Sequence, residues 1–551
     1  MITETLGIDC HLTMQSNSET STYWATRRSN TGIIVVTVYP KTVPSTKRFA
    51  FNVIMNWVAM AVGMVVPFFL TPIVVRTLGS TAYGVWILAV STVSYLTLLD
   101  MGLRSAVIRF VSKADSQGRD DEARSAIGAA LWFRVLIASA VGVLSVGLAA
   151  VFPHFFKVPP DLQRAAQITV LVCALGIAVT LISGVFGAVL SAINRFDILS
   201  SIAVFQTLFR AIGVILILRA GKGLISLAYW EFAVILVAGV ITCATAWSIF
   251  PACRVKFGRP DTKTFKMIWS YSFTMFIITV ASQVVFNTDN LVVGSFLSVS
   301  LVAFYSIGGS LILYSGQVVT ALSTTFIPLA SGLDASGRSG DLQRLLLRGT
   351  QATLGIVLPI GVTLLLRGKT FIGLWMGKQY AEISGTVLQI LLISLFFTIA
   401  NNTASNIMFG TGNQKPVAKW SVIEAILNFV LSLVLVKTIG IYGVAWGTAI
   451  SMALIHLIFW PRYVQKILGV SVKKYLWNGW IVLTLCSIPF AIASALVDRY
   501  WPAKSLPIFA LQILAILPVY VISVGLFFRN EALNILRRWQ ASRLERSEAA
   551  L

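Results

Sequence analysis

Residues 51–75 read FNVIMNWVAMAVGMVVPFFLTPIVV, without one Asp, Glu, Lys or Arg. At 1.5 Å per residue a helix of this length extends about 37 Å, enough to cross a hydrocarbon layer of about 30 Å. Comparable apolar runs recur almost to the C-terminus, about fourteen by run length. They do not alternate between apolar and polar residues, which excludes barrel strands. The 551-residue chain is 57% hydrophobic and 12% charged, where soluble domains carry about 25% charged residues. The expected fold class is therefore an all-α polytopic membrane protein with about 14 transmembrane helices.

Lys and Arg number 43 against 21 Asp and Glu, a formal net charge of +22. In a soluble chain that excess would point to nucleic acid, but in a membrane protein the positive-inside rule accounts for most of it. With the N-terminus inside, most basic residues between spans fall on the cytoplasmic side, notably in the loop 254–266. An even number of spans then returns the C-terminus to the cytoplasm, where residues 529–551 form a basic tail. Residues 1–46 are polar and Ser/Thr-rich, and read as a disordered cytoplasmic tail. Cys10, Cys173, Cys243, Cys253 and Cys486 show no CxxC or His-flanked pattern and read as packing residues. No cofactor, metal or nucleic acid is expected.

The chain repeats itself at a constant offset of 219 residues. Leu78 matches Leu297, Tyr95 matches Tyr314, Leu103 matches Leu322, Asn194 matches Asn413 and Gly221 matches Gly440. Asp115-Ser-Gln-Gly-Arg119 recurs as Asp334-Ala-Ser-Gly-Arg338 at the same spacing. Six spans separate the copies, so both enter the membrane in one direction, which gives two parallel six-helix repeats. The expected organisation is an N-lobe over 47–260, a C-lobe over 261–470 and two additional helices over 471–528.

Asn56-Trp57, Pro67, Pro72, Leu78-Gly79, Tyr83-Gly84-Val85-Trp86 and Asp100-Met101-Gly102-Leu103 resemble the bacterial polysaccharide flippases. These are the lipid-linked oligosaccharide translocases of the multidrug/oligosaccharidyl-lipid/polysaccharide exporter superfamily. The resemblance continues through Asp289-Asn290 and Tyr305 and covers the chain from about residue 50. It implies two lobes around a central cavity that opens alternately to either face. It also implies a polyprenyl-diphosphate-linked sugar as cargo.

Polar residues inside the spans are the candidates for function, since a charge there costs at least about 2.5 kcal/mol on insertion scales. Arg210 lies deep in the fifth span, too far for easy snorkelling, and its repeat partner is Phe429. A planar guanidinium can fork onto diphosphate oxygens, so Arg210 is the leading head-group cation, with Arg134 and Arg104 beside it. For Arg134 a snorkelling role stands equally open. Asp100 and Arg104 are at i,i+4 and either pair on one helix face or gate the inner mouth. Asp289, preceded by Gln283 and Asn287, is a candidate for coupling or gating, as a proton site or as a sodium site built with neighbouring oxygens. A satisfied helix contact is the plainer alternative. Glu231 and Glu424 are possible charge partners of Arg210 or Arg134, and His456 reads as a satisfied core residue.

HExxH, Walker A and GxSxG motifs are absent. The largest external loop is expected at 367–382, too short for the catalytic loop of a glycan polymerase. The reading is a non-enzymatic flippase of the bacterial inner membrane that exports lipid-linked oligosaccharide for surface polysaccharide, lipopolysaccharide or exopolysaccharide. Its expected partners are that cargo, membrane lipids, and a polysaccharide polymerase with its export machinery. A multidrug/cation antiporter and a peptidoglycan lipid-precursor flippase are the alternatives.

Overall fold

A computed structural model describes residues 23–29, 32–38, 46–100, 102–254 and 262–528. Two short strands, β1 (Tyr23–Ser29) and β2 (Gly32–Val38), pair as an antiparallel hairpin. This stretch of the N-terminal segment departs from the unstructured tail expected of it; the remainder of residues 1–45, residues 255–261 of the basic loop and the C-terminal tail lie outside the described residues. Among the described residues everything after β2 is helix, turn or short connection.

The first half contains α1 (Thr46–Ser94), α2 (Leu103–Ser116), α3 (Asp120–Phe155), α4 (Pro160–Ala192), α5 (Phe196–Arg219) and α6 (Leu224–Ile249). The second contains α7 (Thr262–Phe296), α8 (Val299–Ser323), α9 (Phe326–Ala335), α10 (Ser339–Trp375), α11 (Lys378–Gly410), α12 (Gln414–Ile439), α13 (Ile441–Leu454) and α14 (Trp460–Leu468). A further group comprises α15 (Val472–Leu476), α16 (Val482–Cys486), α17 (Ile488–Tyr500) and α18 (Leu506–Phe527). The duplication is visible in the helix starts. Helix α3 begins at Asp120 and α10 at Ser339, 219 residues later. The left-handed turns at Gly118 and Gly337, and the positive-φ turns at Gly221 and Gly440, keep that offset.

Among the described residues twelve helical stretches are long and apolar enough to cross a membrane, and a bent pair in α7 makes up to thirteen. The count therefore falls short of fourteen, for a local reason. Residues 51–100, expected as two spans, form one 50-residue stretch. Its backbone breaks at Gly79 (φ 79°, ψ 165°), a conformation open to a residue without Cβ. At 1.5 Å per residue the stretch would extend about 75 Å if straight, more than two hydrocarbon thicknesses. Outward-facing apolar side chains such as Val143, 75% exposed, suit a helix solvated by lipid.

The expected external loop at 367–382 does not exist as a loop. Helix α10 continues to Trp375 and α11 starts at Lys378. Arg367 is thus a helical residue, 1% exposed. Its Nε donates to Asp498 of α17 (2.8 Å), its Nη2 to Gln512 of α18 (2.5 Å), and its guanidinium lies 4.5 Å over the Phe509 ring. These bonds fasten the two additional spans to the second repeat.

The two repeats meet through specific bonds. Arg76 donates to the carbonyls of Trp375 (3.2 Å) and Met376 (3.4 Å), and the Trp375 indole donates to the Phe68 carbonyl (2.9 Å) while its ring stacks on Phe68. All lie towards the face carrying Gly79 and Trp375, where the lobes are held shut.

Candidate functional site

The charges of the first repeat are paired between helices. Arg134, on α3 and 2% exposed, has Nη2 2.6 Å from Asp100 and donates through Nη1 to the Leu181 carbonyl of α4 at 2.8 Å. Gly184 makes room for it, since a Cβ there would stand 2.6 Å from Nη1. The expected Asp100–Arg104 pairing on one helix face does not occur. Residues Tyr95–Asp100 are a 3-10 turn and Gly102 is left-handed, so the α-helical i,i+4 geometry is broken between them. Asp100 turns to Arg134, and Arg104 is exposed at the start of α2, near enough to repel the Arg134 guanidinium. Arg134 accordingly ties α3 to the turn after α1 and to α4 in this conformation.

Arg210 holds Glu231 of α6 through two parallel bonds of 2.7 Å, from Nε and Nη2. Of the two charge partners considered for Glu231, the structure selects Arg210. The pair is accessible: the side chains are 35% and 20% exposed. Glu424 instead meets His456, with Oε2 3.3 Å from Nε2. It neutralises neither arginine.

Helix α7 carries polar side chains on two faces. Towards α1 and the turn after it, Gln283 donates to the Ser94 carbonyl (3.0 Å) and to Thr97 (3.1 Å), and Asn290 donates to Ser91 (3.1 Å). The Tyr95 hydroxyl is 2.5 Å from Thr288, and Asn287 donates to Gln283 at 2.6 Å. Gln283 and Asn287 thus belong to a seam between the lobes rather than to the Asp289 site. Asp289 faces the other way into the second repeat. Its Oδ2 accepts from Tyr305 (2.6 Å) and Thr448 (2.7 Å), and Ser432 borders the same carboxylate. Asn428 donates to Thr448 at 2.8 Å. Asp289 Oδ1 and Asn428 Oδ1 are buried without a hydrogen-bond partner.

Among the described residues no group of three His, Cys, Asp or Glu is placed to hold a metal. Around Asp289 the oxygens are one carboxylate, one amide and the three hydroxyls of Tyr305, Thr448 and Ser432, a set suited to a proton or an alkali cation. The helix bends by 41° beside it, between Val285 and Asn287, so the seam and the carboxylate sit on opposite faces of one hinge.

A cavity of about 640 Å³ opens between the repeats, lined by Tyr95 and Phe152 of the first and by Thr288, Leu291, Phe296 and Phe429 of the second. Its lining is almost wholly apolar, and Phe296 and Phe429 are 48% and 42% exposed at its mouth. Adding 219 to Tyr95, Phe152 and Phe156 gives Tyr314, Phe371 and Trp375, which close the related boundary around Phe68. One lobe boundary is therefore an open apolar groove and its counterpart an aromatic seal.

A family model described as polysaccharide biosynthesis protein matches residues 73–385, more than half of the chain. The chain belongs to this family. It is 26% identical over 461 residues to the membrane protein EpsK of Bacillus subtilis (strain 168), covering 81% of this chain and 88% of that one. A Shigella flexneri protein provisionally named an O-antigen transporter is 23% identical over 406 residues, 71% of this chain and 91% of its own. Among solved structures, the lipid II flippase MurJ in an inward closed conformation shares the fold, with a TM-score of 0.64 at 17% identity over 88% of this chain and all of that one. This member of the polysaccharide biosynthesis family is a multi-pass membrane protein of transporter architecture.

Proposed function

We propose that this protein is a flippase that moves polyprenyl-diphosphate-linked oligosaccharide outward across the bacterial inner membrane by alternating access, and that it catalyses no covalent step. The observation that carries the reading is the family match combined with an apolar groove at the boundary of two lobes. A lipid-linked sugar has a head that must avoid hydrocarbon and a tail that need not leave it. The groove gives the tail a path at the lobe boundary while the head occupies the space between lobes.

The face with Gly79 and Trp375 is external in this proposal and both termini are cytoplasmic, a placement that the distribution of basic residues supports. The lobes are then shut outside, the state that accepts cargo made inside. Arg104, exposed and without the carboxylate that Arg134 has taken, receives the diphosphate at the inner mouth. Arg210 is a deeper station, where the cargo exchanges with Glu231 for the guanidinium fork. Arg134 acts through Asp100 by fixing the mouth. Outward movement of an anionic head is downhill by about 2.3 kcal/mol per charge per 100 mV when the cytoplasm is negative. Asp289 couples a proton or sodium ion to hinge motion in α7, because losing or gaining the ion changes the bonds on one face of a helix whose other face zips the lobes. A polymerase and export machinery consume the product outside.

Competition in proteoliposomes tests the substrate class. Transfer of a fluorescent polyprenyl-diphosphate oligosaccharide is expected to be inhibited by polyprenyl diphosphate lacking sugar and untouched by an organic drug cation. Inhibition by the cation alone would overturn the reading in favour of a multidrug antiporter.

A further inference from the structure

We propose that Glu424 and His456 form a proton-binding site in the second repeat, separate from Asp289 and built on α12 and the turn after α13, two of the elements that also border Asp289. The site deepens the coupling reading given above, and its first test does not depend on that reading.

Glu424 and His456 are 9% and 7% exposed, and Nε2 faces Oε2 at 3.3 Å. With Nε2 carrying the hydrogen towards the carboxylate, Nδ1 is left buried and without a hydrogen-bond partner. A neutral imidazole therefore leaves the pair with one uncompensated buried negative charge. One further proton, taken at Nδ1, turns it into an ion pair of zero net charge. Burying a net charge is far more costly than burying a pair, so the site has a reason to hold one exchangeable proton.

Its backbone is also unusual. Residues Ile455–Phe459 form a π-helical turn between α13 and α14, a local widening that recurs at functional sites. The His456 carbonyl is taken by the Asn401 amide of α11 at 3.1 Å, and the ring lies parallel to Trp460. Asn401 in turn accepts from Tyr475 of α15 at 3.0 Å. Among the described residues the polar groups around the pair are thus the amide of Asn401 from α11 and, behind it, the Tyr475 hydroxyl. The α7 side supplies apolar Ala281 and Val285, packed with Ala425 and Met452. Lys415, Lys419, Arg462 and Lys466 belong to the ends of α12 and α14.

The pair also aligns with the Asp289 site. Glu424, Asn428 and Ser432 follow at steps of four on α12, and Thr448 and His456 are separated by eight on the facing element. Steps of four keep residues on one helix face. Asn428 bonds Thr448, which bonds Asp289. A shift of the π turn therefore moves the face that carries the Thr448 bond to Asp289.

The chain has three histidines, His11, His154 and His456, so the full-length protein labelled with ¹⁵N-histidine resolves the question in nanodiscs. His11→Gln and His154→Gln assign the signals by elimination, without touching the pair. On acidification the His456 signal is expected to change from that of a neutral to that of a charged imidazole. Glu424→Gln is expected to alter this response and to leave the other two signals in place. A His456 signal that does not respond to pH, or that responds identically in Glu424→Gln, would overturn the proposal. In proteoliposomes, His456→Gln is expected to flatten the dependence of transfer on pH while Asp289→Asn abolishes coupling altogether. Absence of transfer of any lipid-linked sugar by the wild type would sink the flippase reading and leave the titration result standing.

Discussion

Removing the Arg134 guanidinium separates a structural clamp from a cargo ligand. In Arg134→Met the Asp100 carboxylate loses a charge at 2.6 Å and the Leu181 carbonyl a donor at 2.8 Å, while the methionine fills most of the volume. Breaking a buried pair from one side costs about 3–5 kcal/mol. The Asp100 side chain keeps 22% of its exposure, so water relieves part of that loss and about 3 kcal/mol is expected. That is roughly a hundredfold in the folding equilibrium, since each factor of ten is about 1.4 kcal/mol. Asp100→Asn retains an acceptor and is expected to cost about 1 kcal/mol. The double variant Arg134→Met/Asp100→Leu removes both charges and should recover to within about 1 kcal/mol of wild type. Reversible unfolding in mixed micelles, followed by tryptophan fluorescence, reads all three. A single variant as stable as wild type that nevertheless loses transfer would refute the clamp and return Arg134 to the cargo.

Three further outcomes follow from the same geometry. Arg210→Gln is expected to lower transfer at least tenfold with modest loss of stability because the pair is part-exposed; unchanged transfer would move the deep site elsewhere. Asp289→Asn should abolish the response of transfer to an imposed proton or sodium gradient while membrane potential still drives it, and a retained response to both gradients would exclude Asp289. Cysteines placed at Arg76 and Met376, whose guanidinium and carbonyl lie 3.4 Å apart, are to be joined by a reducible bismaleimide because the arginine's reach exceeds that of a disulfide; the linked protein should not transfer until the linker is cleaved. Undiminished transfer in the linked protein would mean that this face does not open.

The membrane fold was legible because lipid leaves a coarse signal: uncharged runs such as 51–75 can do little else in water. The duplication was legible for a related reason, since turns at Gly118 and Gly337 need a residue without Cβ and keep their spacing. Pairing was less so. Glu231 was one of two acids considered for Arg210 or Arg134, with nothing in the sequence to choose between them, and Asp100 was read against Arg104 because a continuous helix was assumed through Gly102. Arg367 follows directly after an apolar run and so looked like a loop residue; its burial depends on the two additional spans folding back against α10. The Glu424–His456 contact joins residues 32 apart through a π turn, for which apolar run length carries no signal. The interlobe groove depends on rigid-body packing of two repeats, which local periodicity does not encode.

The central claim is tested most directly by reconstituting the purified full-length chain into liposomes that carry a polyprenyl-diphosphate-linked oligosaccharide in one leaflet. Arrival of sugar at the opposite leaflet is then read with an impermeant glycosidase. Transfer that requires the protein, and falls at least tenfold in Arg104→Gln with its fold intact, is the result predicted here. Transfer at the rate of empty liposomes, for every lipid-linked sugar offered and at every imposed potential, would contradict it.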